Sequence, residues 1–225
     1  MPGYMMHLCE SEYILRRVTS IHGDLFRLGS VLPDAVTDKA QTHFHSSWQK
    51  DLITKYPDMA WIINKYPVCD MTAADLGALA HLHLDSLYVE RFWPQFFRFE
   101  ASDDRPTCVT SDIDHVRMTS RSMQPADTLI PFKVFFSEEY FYGDYNVTNS
   151  VFMSDFSPSI PEVKEIDLSI AECRAFSPQK LRADLEHFIS CPAPPDGGMT
   201  RVFPYEELKQ FIISSADEFI HEYIL

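Results

Sequence analysis

Residues 72–99 read TAADLGALAHLHLDSLYVERFWPQFFRF, and their spacing predicts one long buried helix. Thr72 and Asp75 form a T-x-x-D pair, the pattern in which side chains satisfy orphan amides at a helix start. Leu76, Leu79, Ala80, Leu84, Leu87 and Phe92 recur at near-helical intervals, so packing against neighbours can hold the segment. Set into this apolar helix are His81 and, four residues on, Asp85. That interval stacks both side chains on one face, one turn apart. A carboxylate on such a face is costly unless it is paired or bound to a metal. His83, two residues from His81, points roughly the opposite way and is not expected to share a ligand with it. Pro94 is expected to kink or shorten the helix.

The composition around this helix narrows the class. With 225 residues, 45% of them hydrophobic and 13% aromatic, the chain reads as one globular domain with a substantial core. Only 7 glycines argue against a strand-and-turn architecture. The expected fold is all-α: a multi-helix bundle around a central buried helix at about 72–93, followed by a long irregular segment at about 100–133. A net charge of -14 makes a poor nucleic-acid binder, because phosphate neutralisation needs clustered Lys and Arg. No run approaches the roughly 18 apolar residues of a membrane span, and the N-terminus MPGYMMHLCESEY lacks the pattern of a signal peptide. The 5 cysteines are scattered without C-x-x-C spacing. Together these features predict a cytoplasmic protein with reduced thiols.

On the N-terminal side, residues 4–19 read as a helix whose stripe His7, Ser11, Ile14 and Val18 turns inward. Taken alone, an inward His7 is most simply a hydrogen-bonded core histidine. Asp24 opens a short helix that Gly29 and Pro33 end. Asp34 follows that proline, where a solvated loop carboxylate is the plain expectation, and Asp38-Lys39 reads as a charged turn. His43 and His45 share a side in extended chain and diverge in a helix, so one of them is the better ligand candidate. Residues 46–64 look helical with a break at Pro57.

On the C-terminal side, residues 100–133 are polar and weakly periodic, and read as a loop carrying His115, Arg117 and Arg121. Residues 132–152 are rich in aromatics and suggest a short helix, and 163–176 are read as helical. Ser177-Pro178 opens a helix to about 189, CPAPPDGG at 191–198 is a turn-rich link, and 204–224 make an amphipathic helix.

Taken together, His7, Asp34, His43, His81 and Asp85 form a set of imidazoles and carboxylates suited to a hydrolytic divalent metal, in which an open position holds water. Four of them adjoin apolar runs, where an unpaired polar group destabilises. Zinc suits this donor set, and Fe, Mn or Ni share it. No phosphate-cradling glycine motif and no nucleophilic-serine elbow occurs.

Over its first hundred residues the chain resembles the zinc-dependent phospholipase C-like proteins, all-α metallohydrolases related to P1-type nucleases. The matching pieces are MMH at Met5–His7, LGSVLPDA at Leu28–Ala35, THFH at Thr42–His45, and GALAHLHLDS at Gly77–Ser86 followed by Phe92-Trp93-Pro94. The resemblance implies that Asp34, His43, His81 and Asp85 hold one metal, and that His7 with a shared Asp85 helps to hold a second. It also implies that a metal-bound hydroxide attacks the phosphorus of a phosphodiester or a phospholipid-type ester, with Asp34 orienting or deprotonating the water. Two features depart from the family. Met1 is not placed to serve as an amino-terminal ligand, and no downstream H-x-x-x-E pair occurs, for which His115 is the substitute candidate. The expected partner is a small-molecule or lipid phosphoester, with no nucleic acid and no stable membrane insertion. Two other readings compete: a phosphohydrolase of the HD type, although no His-Asp dipeptide is present, and a non-enzymatic helical interaction protein with a degenerate metal site. In the latter, residues 100–133 and the aromatic 135–145 stretch would form the partner surface.

Overall fold

The computed structural model describes residues 3–36, 39–190 and 198–225; the link at 191–198 therefore lies, but for Gly198, outside the described residues. Helix α1 (Tyr4–Arg17) leads to α2 (Gly23–Gly29), the short α3 (Lys39–Thr42), α4 (Met59–Lys65) and the central α5 (Ala73–Leu87). Strands β1 (Phe97–Glu100), β2 (His115–Met118) and β3 (Leu129–Pro131) follow. The chain ends with α6 (Phe132–Phe135), α7 (Phe141–Phe156), α8 (Pro178–Ser190) and α9 (Tyr205–Tyr223). The protein is mostly helical, and among the described residues no helix is long and apolar enough to cross a membrane.

Helix α5 begins where its sequence says it should. Thr72 Oγ1 accepts from the Asp75 amide at 3.2 Å, and the Asp75 carboxylate accepts from the Thr72 amide at 3.0 Å. Such a box is worth about 1 kcal/mol. Asp75 is itself fully buried, because its other oxygen accepts from the amides of Ser169 and Ile170. The helix ends earlier than expected. After Leu87 the backbone widens into a π turn at Tyr88–Phe92 and tightens to a 3-10 turn at Trp93–Gln95, where Pro94 lacks the amide an α-helix needs.

The expectation of an all-α fold is corrected by a three-stranded antiparallel sheet, order β1-β2-β3, in the segment read as the end of the helix and as a loop. Phe97 pairs with Met118, Phe99 with Val116, and Val116 with Ile130. These five line one face and are buried, whereas Arg98, Glu100, His115 and Arg117 occupy the other. Side chains alternate across a pleat, and FRFE and HVRM carry that alternation in only four residues each. Two further expectations contract. Residues 46–64 hold a 3-10 turn at Ser47–Gln49 and the short α4, and 163–176 hold a 3-10 turn at Ala171–Ala175.

Two hydrophobic cores meet along α5. Ala74, Ala78, Leu79 and Leu82 belong to a core with Phe26, Leu28 and Phe219. Leu84, Tyr88 and Phe92 belong to a second with Phe97, Phe135, Phe141 and Phe203. The aromatic stretch 135–145 contributes Phe135 and Phe141, both fully buried, to this core, while Tyr142 is exposed. Helix α1 spans the same junction, with Leu8 in the first core and Met5, Met6 and Cys9 in the second.

The crossing of α2 over α5 is set by two glycines. A methyl group on Gly77 would lie 2.1 Å from the Phe26 carbonyl oxygen, and one on Gly29 2.0 Å from that of Ala74. Backbones approach this closely only where no side chain intervenes. The consequence for the site is that the Ser30 carbonyl reaches His81.

Candidate metal centre

Five side chains converge where the two cores meet. His7 comes from α1, Asp34 from a 3-10 turn at Leu32–Asp34, His43 from the end of α3, and His81 and Asp85 from α5. His7, His43, His81 and Asp85 are fully buried, and Asp34 is 6% exposed. The solvated-carboxylate expectation for Asp34 thus fails: the turn that Pro33 starts points it inward. The hydrogen-bonded-core expectation for His7 fails too, since neither of its ring nitrogens has a hydrogen-bond partner.

Second partners orient two of the imidazoles. His81 Nδ1 lies 2.8 Å from the Ser30 carbonyl oxygen, and His43 Nδ1 lies 2.8 Å from that of Lys39. A carbonyl oxygen only accepts, so each Nδ1 carries the hydrogen and, in the neutral ring, each Nε2 presents a lone pair. Fixing a tautomer through Nδ1 is the usual support of a metal-binding histidine. Thr42 locks the segment by donating from Oγ1 to the Pro33 carbonyl at 2.8 Å.

The donor atoms form a compact figure. His43 Nε2 and His81 Nε2 are 3.3 Å apart, and they lie 3.2 and 3.6 Å from Asp85 Oδ2. A tetrahedral ion with bonds of ~2.1 Å separates its ligands by about 3.4 Å, which these three edges match. On the other side of the carboxylate, His7 Nε2 lies 3.5 Å from Asp85 Oδ1, and its ring stacks on His81 with centroids 3.6 Å apart. Asp34 Oδ1 lies 3.6 Å from His43 Nε2. Candidate donor atoms of His43, His81 and Asp85 all lie within 4.8 Å of one another, as do those of His7, Asp34 and His81. Both oxygens of Asp85 and both ring nitrogens of His7 are buried without hydrogen bonds, and these groups could hold a metal ion.

Charge points the same way. Burial, reinforced by His81, pushes the His7 pKa down to about 3, and burial also lowers that of His81. Burial alone would raise Asp34 and Asp85. The facing His81 imidazole, with Lys39 and His43 at Asp34 and with His43 and His7 at Asp85, outweighs it and holds both carboxylates ionised. For His43 burial is outweighed by Asp85 and Asp34, and its pKa rises. Among the described residues, Lys39 adds a further cation at the edge of the cluster, its ammonium lying 2.7 Å from Asp34 Oδ1. This role was not legible in a lysine next to Asp38 in a charged turn; the signal available was its place four residues before His43.

The remaining histidines fall elsewhere. His83 faces away, as its two-residue offset predicts, packing on the Phe219 and Tyr223 rings with Nε2 4.0 Å from Glu218. His45 lies beside the centre, its ring 5.9 Å from that of His43. Phe44 between them adopts φ 49, a left-handed conformation that turns His43 inward and seats its own ring against Trp61. His115 does not substitute for the missing ligand. On β2 it pairs with Glu100 at 3.0 Å and Asp104 at 3.2 Å, in a network that Arg117 shares.

No protein-family model, curated protein or solved structure matches this chain.

Proposed function

We propose that this chain is a metal-dependent hydrolase of phosphoric esters, similar in type to the zinc-dependent phospholipase C-like enzymes. One observation carries the reading: His43 Nε2, His81 Nε2 and Asp85 Oδ2 stand 3.2–3.6 Å apart in a fully buried site. A bound divalent ion supplies Lewis-acid polarisation and acidifies water. Asp34, His43, His81 and Asp85 would hold one ion, and His7 with the other oxygen of Asp85 would help to hold a second. Zinc fits these nitrogen and oxygen donors, and iron, manganese and nickel remain chemically admissible. Asp34 sits at the cluster's edge. Its depressed pKa keeps it an anion near neutrality, which suits it to orient a water molecule rather than to take its proton.

Elemental analysis of the protein purified without added metal, beside Asp85→Ala, tests the site. Near-stoichiometric metal in the parent and its loss in the variant are expected; a metal-free parent overturns the reading. Turnover of bis(4-nitrophenyl) phosphate by the loaded protein tests the chemistry. A second reading is favoured by the depth of the cluster. Closed centres are typical of structural metals, so stoichiometric metal without turnover would make the chain a metal-stabilised binding protein.

A further inference from the structure

Asp34 borders an open cavity of about 310 Å³ flanked by α3, α7 and the start of α1. Lys39 and Glu138 line it, and so do Tyr142, Asn146 and Asn149. The last three lie at intervals of four and three residues on α7, so they form one stripe facing the cavity. Asn149 is 6% exposed and lines this space. Its volume is at the small end for ligand sites and admits a compact molecule rather than a lipid with its chains or a nucleic acid.

The charges of this cavity are its distinctive property. Lys39 is the cation, Asp34 and Glu138 are the anions, and Lys39 is engaged with Asp34. A divalent ion drawing on the Asp34 carboxylate would weaken that pair. The lysine side chain is half exposed and unbranched, and could then turn to a new anion.

Resting on the metal reading above, we infer that this cavity is the substrate subsite, and that Lys39 exchanges Asp34 for the phosphoryl group of a small hydrophilic phosphoester once metal is bound. The α7 stripe of Tyr142, Asn146 and Asn149 holds the uncharged, hydroxyl-bearing remainder of that molecule. Glu138 opposes the anion and weakens its binding. Metal and phosphate therefore bind with positive coupling, each tightening the other.

Calorimetric titration of the zinc-loaded and the chelated protein with inorganic phosphate tests this, with zinc content measured in every sample. Phosphate binds the loaded protein and not the chelated one. Lys39→Met keeps its zinc and loses roughly tenfold in phosphate affinity, the worth of one charge-assisted hydrogen bond. Glu138→Gln keeps its zinc and binds phosphate several-fold more tightly. Ribose 5-phosphate binds the parent more tightly than phosphate does, and Asn149→Ala removes that difference. Zinc-replete Lys39→Met with parental phosphate affinity overturns the inference alone, and so does equal binding by loaded and chelated protein. Failure of the parent to retain zinc overturns the metal reading and this inference together.

Discussion

His7 and His81 lie face to face, planes 13° from parallel, with no water-accessible surface on either. The Nδ1 of His81 is anchored on Ser30, whereas both nitrogens of His7 lack hydrogen-bond partners. Replacing an unpaired buried polar group by an apolar one of similar shape is neutral or stabilising. His7→Phe keeps the stacked ring and removes the two orphan atoms. In metal-free protein it should match or exceed the parent in stability, while bound metal falls. Urea denaturation of chelated samples, with elemental analysis of untreated ones, reads both. A loss above about 2 kcal/mol in the chelated state would mark His7 as a satisfied core residue.

Opposite faces of α5 should respond differently. Asp85→Ala removes the carboxylate that three imidazoles approach within 3.6 Å, so metal should be lost. His83→Ala opens a cavity against Phe219 and Tyr223 and should cost about 2–4 kcal/mol, as core truncations do, with metal content unchanged. Equal metal loss in the two variants would refute the separation of faces.

Gly77→Ala places a methyl group 2.1 Å from the Phe26 carbonyl oxygen and 2.9 Å from the Ser30 amide. Relief of that overlap must part α2 from α5, at a cost of about 3 kcal/mol or more. It also draws the Ser30 carbonyl from His81, so zinc affinity should fall by tenfold or more, the usual worth of an outer-shell partner. Gly3→Ala, with nothing within 4 Å, serves as the tolerated control. Competition with a chromogenic chelator measures the affinity.

Imidazoles whose pKa values burial lowers should each weaken the metal-free protein in acid. Burial pushes His7 down to about 3, and His45 and His83 to about 4. Between these values and ~6.5, the ordinary histidine pKa, the unfolded chain binds more protons than the folded one, so stability falls with falling pH. His81 acts in the same sense, whereas His43, His115, Glu10 and Asp144, whose pKa values are raised, favour folding at low pH, so the test must isolate one group. As pH falls from 7.5 to 5, the urea midpoint of chelated His83→Phe should rise relative to that of the chelated parent, because the variant has lost one imidazole that burial holds at about 4. Parallel midpoints across this range would show that His83 takes up its proton equally in the folded and unfolded states.

What the sequence made legible follows from range. Helix α5 could be read because Thr72 and Asp75 are three residues apart and its leucines repeat at the helical period. The inward turn of His7 could be read from its stripe for the same reason. The sheet could not, because strands of three and four residues offer too little alternation to outweigh a polar, proline-containing context. Only the backbone sign change at Phe44 decided between His43 and His45. The second role of Asp75, accepting from Ser169 and Ile170, joins residues more than ninety positions apart. The Lys39–Asp34 pair depends on how two short turns abut, for which no local pattern exists.

The π turn at Tyr88–Phe92 bears on how the chain can vary. A π turn holds one more residue than the α turn it replaces. Everything beyond it is thereby rotated by about 100° relative to a continuous helix, the angle one α-helical residue subtends. Upstream stand His81 and Asp85; downstream stand Trp93 and the strands. The extra residue acts as a phase adjuster between two modules. Deleting one residue from Val89–Arg91 would restore an ideal helix locally and mis-aim the aromatic half of the protein. Length changes in the exposed turn at Ser102–Arg105, beyond β1, would leave that phase untouched. The chain is thus free to lengthen its outer loops and bound to keep count along its central helix.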